Sequence, residues 1–220
     1  MIFIKQKPGQ AAAYLAQTIS GKLALDQKVL WFLSGGSSIE LEVKAREQIE
    51  SANLDNLTIM LFDERYGPDG HADSNWQQLQ DAGFDFSGTN PLPVLKGLSL
   101  AESTEKFQDN LARELKRNDF IIATAGVGSD GHTSGLLPNC PALKSPELAD
   151  CYEGPDYQRI TTTPKAIAQL NEAVVGLSGE EKLAVLEKLQ ANVPANEMPA
   201  QLLKKLPKFI VFNDWTGDSL

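Results

Sequence analysis

Five short apolar runs, each stopped by glycine, charge or small polar residues, constrain the fold of this chain more than any other feature. They are Val29–Leu33, Leu57–Phe62, Phe120–Ala125, Ala173–Leu177 and Lys208–Phe212. Continuous rather than alternating apolar character suits strands covered on both faces. Between them lie helical patterns. The segment from Ser99 to Asn118 places Thr104, Phe107, Leu111 and Leu115 on one face, and Glu102 stands three residues after Ser99, the spacing of a capping box. Ser178-Gly179-Glu180-Glu181 opens a second helix with Leu183, Leu186 and Leu189 in phase. Gly9–Ser20, Ile39–Ser51 and Pro199–Lys205 read as further helices. Alternating strand and helix predicts an α/β fold, a mainly parallel, Rossmann-like sheet flanked by helices on both faces. No Pro/Ser/Gly linker divides the 220 residues, so residues 1–220 are expected to form a single domain.

Composition narrows the function. The net charge is −9 and the pI about 4.8, which argues against a general nucleic-acid binder. An anionic small ligand is still compatible, because a few local cations and backbone N–H groups suffice to hold it. No apolar run approaches the ~20 residues of a membrane helix, and the N-terminus has no signal-peptide pattern. Cys140 and Cys151 are too few for a disulfide framework, and with two histidines they supply no zinc-site spacing. A cytoplasmic protein with reduced thiols and no structural zinc site, a monomer or weak homo-oligomer, is the expectation.

In open parallel sheets, ligands bind beyond the strand ends. Three such segments carry chemistry. Ser34-Gly35-Gly36-Ser37-Ser38 follows the first run; small residues let backbone N–H groups crowd an anion at a helix start, as they also suit a plain tight turn. It lacks the Gly-Lys-Ser/Thr ending of a P-loop. Asp63-Glu64-Arg65 follows the second run; Arg65 offers a planar fork to a phosphate, or the three charges form a surface cluster. Gly126-Val127-Gly128-Ser129-Asp130-Gly131-His132-Thr133 follows the third. Its G-x-G-x-x-G is not a dinucleotide fingerprint, because Pro138 cuts any following helix and Ser145–Asp150 is polar where an acid-ended strand belongs. Asp130 beside His132 instead suits a general base with a carboxylate partner, or a histidine merely satisfied in a loop. His71 reads as a surface residue, and Arg159-Ile160-Thr161-Thr162-Thr163 as a strand or strand edge led by a cation.

Together these blocks, with Ser74-Asn75, Leu136-Leu137-Pro138, Leu170-Asn171-Glu172-Ala173, Gly179 and Lys182, resemble the 6-phosphogluconolactonase family within the glucosamine-6-phosphate isomerase/deaminase-like group. They follow the family's order over most of the chain. The resemblance implies a cofactor-free hydrolase of a phosphosugar lactone in the oxidative pentose-phosphate pathway, with no nucleic-acid or membrane partner. It implies His132 as general base and Asp130 as its partner. Gly35, Gly36, Ser37, Ser38, Arg65, Gly128 and Arg159 would hold the phosphate or line its pocket, and loop N–H groups near Gly128–Gly131 would serve a tetrahedral oxyanion.

Two departures stand out: Ser38-Ile39 stands where the family has Thr-Pro, which need not harm binding because Pro donates no hydrogen bond, and Ser134-Gly135-Leu136-Leu137 stands where it has Ala-Ser-Leu-Phe, which bears on pocket shape. The deaminase branch is the nearest alternative, with Asp63 placed to abstract a proton beside a carbonyl. Arg65, where that branch has Tyr, and Thr133 after His132 favour the lactonase. A non-catalytic sugar-phosphate-binding module is the alternative of a different class.

Overall fold

The computed structural model describes residues 1–5, 9–50 and 52–217. In chain order the strands are β1 (Ile2–Lys5), β2 (Val29–Leu33), β3 (Leu57–Leu61), β4 (Asp63–Arg65), β5 (Asn90–Pro91), β6 (Phe120–Thr124), β7 (Ala149–Glu153), β8 (Gln158–Thr162), β9 (Glu172–Leu177) and β10 (Lys208–Asn213). The α-helices are α1 (Gln10–Ala24), α2 (Ile39–Glu47), α3 (Asn75–Asp81), α4 (Leu100–Arg117), α5 (Pro164–Ile167) and α6 (Leu183–Gln190). Seven strands form a parallel sheet in the order β1-β10-β9-β6-β2-β3-β5. The five apolar runs supply β2, β3, β6, β9 and β10, as the sequence pattern predicts.

Every residue of β2 and β3 is buried, so both faces of the central sheet are covered. Burial of each large apolar side chain here contributes roughly 1.5–3 kcal/mol. α4 begins at Ser99 with the capping box in place: the Ser99 hydroxyl accepts from Glu102 N–H at 3.4 Å and the Glu102 carboxylate accepts from Ser99 N–H at 3.0 Å. Its Phe107, Leu111 and Leu115 are buried, with Ser103 rather than Thr104 completing the buried stripe.

The helix predicted from Ser178 starts later. Glu180–Lys182 form a 3-10 turn, α6 begins at Leu183, and Leu183 is exposed while Val185, Leu186 and Leu189 are buried. The Pro199–Lys205 helix is likewise 3-10. α1 runs on to Ala24, beyond the expected Ser20, and α2 stops at Glu47; the expected end at Ser51 lies outside the described residues. No helix among the described residues is long and apolar enough to cross a membrane.

A second, antiparallel sheet of order β4-β8-β7 is hooked onto the first. Phe62 makes the joint: its N–H donates to the Leu33 carbonyl at 2.9 Å, and its carbonyl accepts from Thr162 N–H at 2.9 Å. In the large sheet the chain moves outward from β2 to β3 on one side, then returns to β6 on the other. That reversal opens a crevice at the C-terminal ends of β2 and β6, the place where such sheets bind ligands. The small sheet walls it.

Candidate active site

A cleft of about 340 Å³ occupies this crevice. Ser34, Gly35, Gly36 and Ser37 reach it from the end of β2, Asp63 and Arg65 from β4, and Gly126–Ser129 with His132 from the end of β6. Arg159 enters from β8 and Lys182 from beyond β9. Segments far apart in the chain converge because their strands are neighbours in the sheets.

The loop after β6 is a miniature hairpin. Val127 bridges Thr133, and Thr133 bridges Leu136, in antiparallel fashion. The Thr133 hydroxyl donates to the Gly126 carbonyl at 2.8 Å. The Gly126 N–H donates in turn to the Ser34 hydroxyl at 3.1 Å, tying this loop to the end of β2. At the tip, His132 Nδ1 lies 2.6 Å from Asp130 Oδ1, and the same oxygen accepts the His132 backbone N–H at 3.1 Å. A proton on Nδ1 facing the carboxylate leaves Nε2 with its lone pair in the neutral ring. Partial burial pushes the Asp130 carboxyl up, but the His132 N–H, the imidazole charge and its hydrogen bond outweigh this and hold it below the usual carboxylate range.

Gly128 makes the pair possible. A Cβ there would stand 2.1 Å from His132 Cε1 and 2.7 Å from Asp130 Oδ1, so any side chain displaces the imidazole. Two of the loop N–H groups expected near an oxyanion are already engaged. The Gly128 N–H donates to the His132 carbonyl at 3.0 Å and the Gly131 N–H to the Gly128 carbonyl at 2.9 Å, so both are spent on closing the loop.

Asp63-Glu64-Arg65 forms a strand of its own rather than the charged end of the second run, and alternation along β4 separates its charges. Glu64 points inward and is fully buried. Its carboxylate accepts from Asn75 N–H at 2.7 Å, Arg65 N–H at 2.9 Å, the Ser74 hydroxyl at 2.9 Å and Trp76 N–H at 3.2 Å, anchoring the start of α3. Burial raises its carboxyl above the ordinary range, against the pull of those donors.

Asp63 and Arg65 face the cleft. Burial likewise raises Asp63, opposed by Arg159, His132, Arg65 and Asn75. Arg159 Nη1 lies 3.8 Å from Asp63 Oδ2. Arg65 and Arg159 are direct partners in the β4–β8 register, so two guanidinium side chains leave neighbouring strands side by side. Like charges so placed repel. An anion between them converts that repulsion into binding.

Gly35, Gly36 and Ser37 line the cleft as expected. They lead through a 3-10 turn, Gly36–Ser38, into α2, whose opening amides lack intrahelical acceptors. Gly35 must be glycine, since a Cβ would meet Asn75 Oδ1 at 2.0 Å. Ser38 differs from expectation: it is buried behind the loop, outside the cleft lining, with its hydroxyl turned toward Gly126.

Sequence reasoning about individual sites passed over Lys182 and Asn75 and read His71 as a surface residue. Lys182 lines the cleft and donates from Nζ to the Val127 carbonyl at 2.8 Å. Asn75 lines it too, its amide N–H donating to the Asp63 carbonyl at 3.0 Å. His71 is half-buried rather than a free surface residue, with Nε2 2.9 Å from the Arg65 carbonyl. Lys182 and Asn75 stand within the family-like motif blocks, a signal that could have found them; His71 carried none beyond its rarity.

The chain is 26% identical to a 6-phosphogluconolactonase of Pseudomonas aeruginosa over 209 residues, 89% of this chain and 86% of that protein. It is 29% identical to one from Aggregatibacter actinomycetemcomitans over 175 residues, 76% of this chain and 75% of that protein. Its fold matches the crystal structure of a 6-phosphogluconolactonase from Thermotoga maritima with a TM-score of 0.79 at 21% identity, covering 96% of this chain and 98% of that one. A family model described as glucosamine-6-phosphate isomerases/6-phosphogluconolactonase matches residues 6–210, and the chain therefore belongs to that family.

Proposed function

We propose that this protein hydrolyses 6-phospho-D-glucono-1,5-lactone to 6-phosphogluconate, with His132 as general base and without a metal or organic cofactor. The observation that carries the reading is the pairing, in one cleft, of an Asp130–His132 couple with two register-matched arginines, Arg65 and Arg159. The arginines and the opening amides of Gly36 and Ser37 hold the phosphate. This anchors one end of the substrate and sets the distance to the carbonyl carbon at the other, replacing a loose encounter by an oriented one.

Neutral His132 accepts a proton at Nε2 from a water as that water attacks C1. The carbonyl π electrons move onto oxygen, giving a tetrahedral oxyanion. Lys182, tied to Val127 in the loop that bears His132, supplies positive charge at this end, beside the loop N–H groups between Gly128 and Gly131. Collapse of the oxyanion breaks the bond from C1 to the ring oxygen, and the His132 imidazolium protonates that oxygen. Asp130, ionised throughout, stabilises the imidazolium. General-base assistance of this kind contributes roughly 10²–10⁴-fold. Asp63, the base required by an isomerase reading, is instead engaged beside Arg159 and packed under Gly135, whose Cβ would meet the Asp63 Cβ at 2.3 Å. The pathway assignment and a cytoplasmic location follow from the same reading.

The test is acid release in a pH-stat from freshly made 6-phosphogluconolactone, with unphosphorylated gluconolactone alongside. The expected result is acceleration above the spontaneous rate for the phosphorylated lactone and far less for the other. Absence of acceleration, together with ammonia release from glucosamine-6-phosphate, would move the protein to the deaminase branch.

A further inference from the structure

Within the cleft, the carboxylate that faces Arg65 and Arg159 is Asp63. Arg159 has Asp63 at 3.8 Å, and Arg65 donates from Nη1 to the Asp73 carbonyl at 3.1 Å. The Nε atoms of both guanidinium groups are buried with no partner. One further group touches both. The ring of Tyr157 lies 5.3 Å from Arg65 Cζ and 6.0 Å from Arg159 Cζ. A π face attracts a cation through its quadrupole, and two cations on one ring share a neutral partner that neither satisfies nor competes for an anion.

We infer that Tyr157 is a positioning residue of the phosphate site, an aromatic post that holds the two guanidinium groups in a clamp. Tyr157 is not among the residues that line the cleft. The fold places it beside the two arginines by construction. Tyr157 ends the turn between β7 and β8, where Glu153 pairs with Gln158 and Gly154 N–H donates to the Tyr157 carbonyl at 2.9 Å. A Cβ on Gly154 would stand 2.9 Å from that carbonyl oxygen and 3.2 Å from Arg159 Nε, so the turn closes tightly against the Arg159 side chain. The Tyr66 N–H donates to the Gln158 carbonyl at 2.8 Å and ties the turn to the strand end that bears Arg65. The role rests on the phosphate site proposed above, but concerns anion affinity rather than the chemical step.

The test compares wild type, Tyr157→Phe and Tyr157→Leu. Calorimetry measures the affinity for inorganic phosphate and for 6-phosphogluconate, and kinetics on the lactone give kcat and KM. Tyr157→Phe keeps the π face and should bind both anions within about twofold of wild type. Tyr157→Leu keeps apolar bulk but loses the quadrupole. It should weaken both anions about five- to tenfold and raise KM in proportion, with kcat within about twofold. Tyr157→Met reads the same loss should the leucine variant fail to fold.

Wild-type affinity for both anions in Tyr157→Leu would overturn the inference. So would equal weakening in the Phe and Leu variants, which would assign the effect to the hydroxyl. If wild type binds phosphate but turns over no lactone, the proposed reaction falls while the phosphate measurements still decide the role of Tyr157.

Discussion

At the scale of single residues, the site depends on what is missing as much as on what is present. Gly128 has no side chain because the His132 imidazole and the Asp130 carboxylate fill that space. Gly128→Ala should therefore lower kcat by on the order of 10²-fold, since a displacement of about 1 Å in a catalytic group already costs that much. Affinity for 6-phosphogluconate should change little; a variant with normal kcat would show that His132 is not placed by this contact. Arg65→Ala should weaken 6-phosphogluconate binding by roughly 1.5–3 kcal/mol, the contribution of a hydrogen bond to a charged group, as read by calorimetry. Unchanged affinity would remove Arg65 from the phosphate site. His132, Asp130, Arg65 and the Gly35–Ser37 loop were legible in the sequence because each lies just beyond an apolar run, where an α/β sheet binds ligands. Tyr157 and His71 were not. Their contacts depend on the register of β4 against β8 and on the fold of the 67–73 loop, and neither is written in local spacing.

At the scale of elements, the same contrast separates the two sheets. The parallel strands could be read because burial on both faces demands unbroken apolar runs. β7 and β8 carry Asp150, Glu153, Gln158 and Arg159 among their apolar residues, so one was passed over as polar and the other read only as a strand or edge. β4 is three charged residues and read only as the charged end of the second apolar run. Its strand character comes from tertiary pairing with β8 and from Glu64, whose hydrogen bonds hold the start of α3. α4 was legible to the residue at its start, because capping is local chemistry. Ser99→Ala should cost about 1 kcal/mol of stability. For a chain of this size, that lowers Tm by about 2–4 °C. An unchanged Tm would show that the capping box contributes nothing here.

At the scale of the whole molecule, buried carboxylates set how stability varies with pH. Glu42 is fully buried beneath the Ser34–Ser38 loop; Oε1 accepts the Ser34 N–H at 2.7 Å, and Oε2 is buried without a partner. Burial raises its carboxyl well above the usual range, against the pull of the Ser34 N–H. A native value above the unfolded one, about 4.3, means that the native state keeps a proton the unfolded chain has lost. Its contribution is therefore greatest below about pH 4.3 and declines as pH rises through the window up to the native value. Asp63 and Glu64, also raised, act with the same sign; Asp130, lowered, acts with the opposite sign at more acid pH. Glu42→Gln keeps an acceptor for Ser34 without the charge. It should raise Tm at pH 8 and leave it nearly unchanged at pH 4; an equal effect at both pH values would contradict the assignment.

In the proposed reaction the chain's parts converge on one event, the removal of a proton from water by His132 beside an anchored phosphosugar. The most direct measurement is kcat for 6-phosphogluconolactone hydrolysis by wild type and His132→Ala, followed in parallel by pH-stat with the spontaneous rate subtracted. A fall of about 10²–10⁴-fold in kcat, with 6-phosphogluconate affinity retained, is the predicted result. Near-normal kcat in the variant would remove His132 from the mechanism.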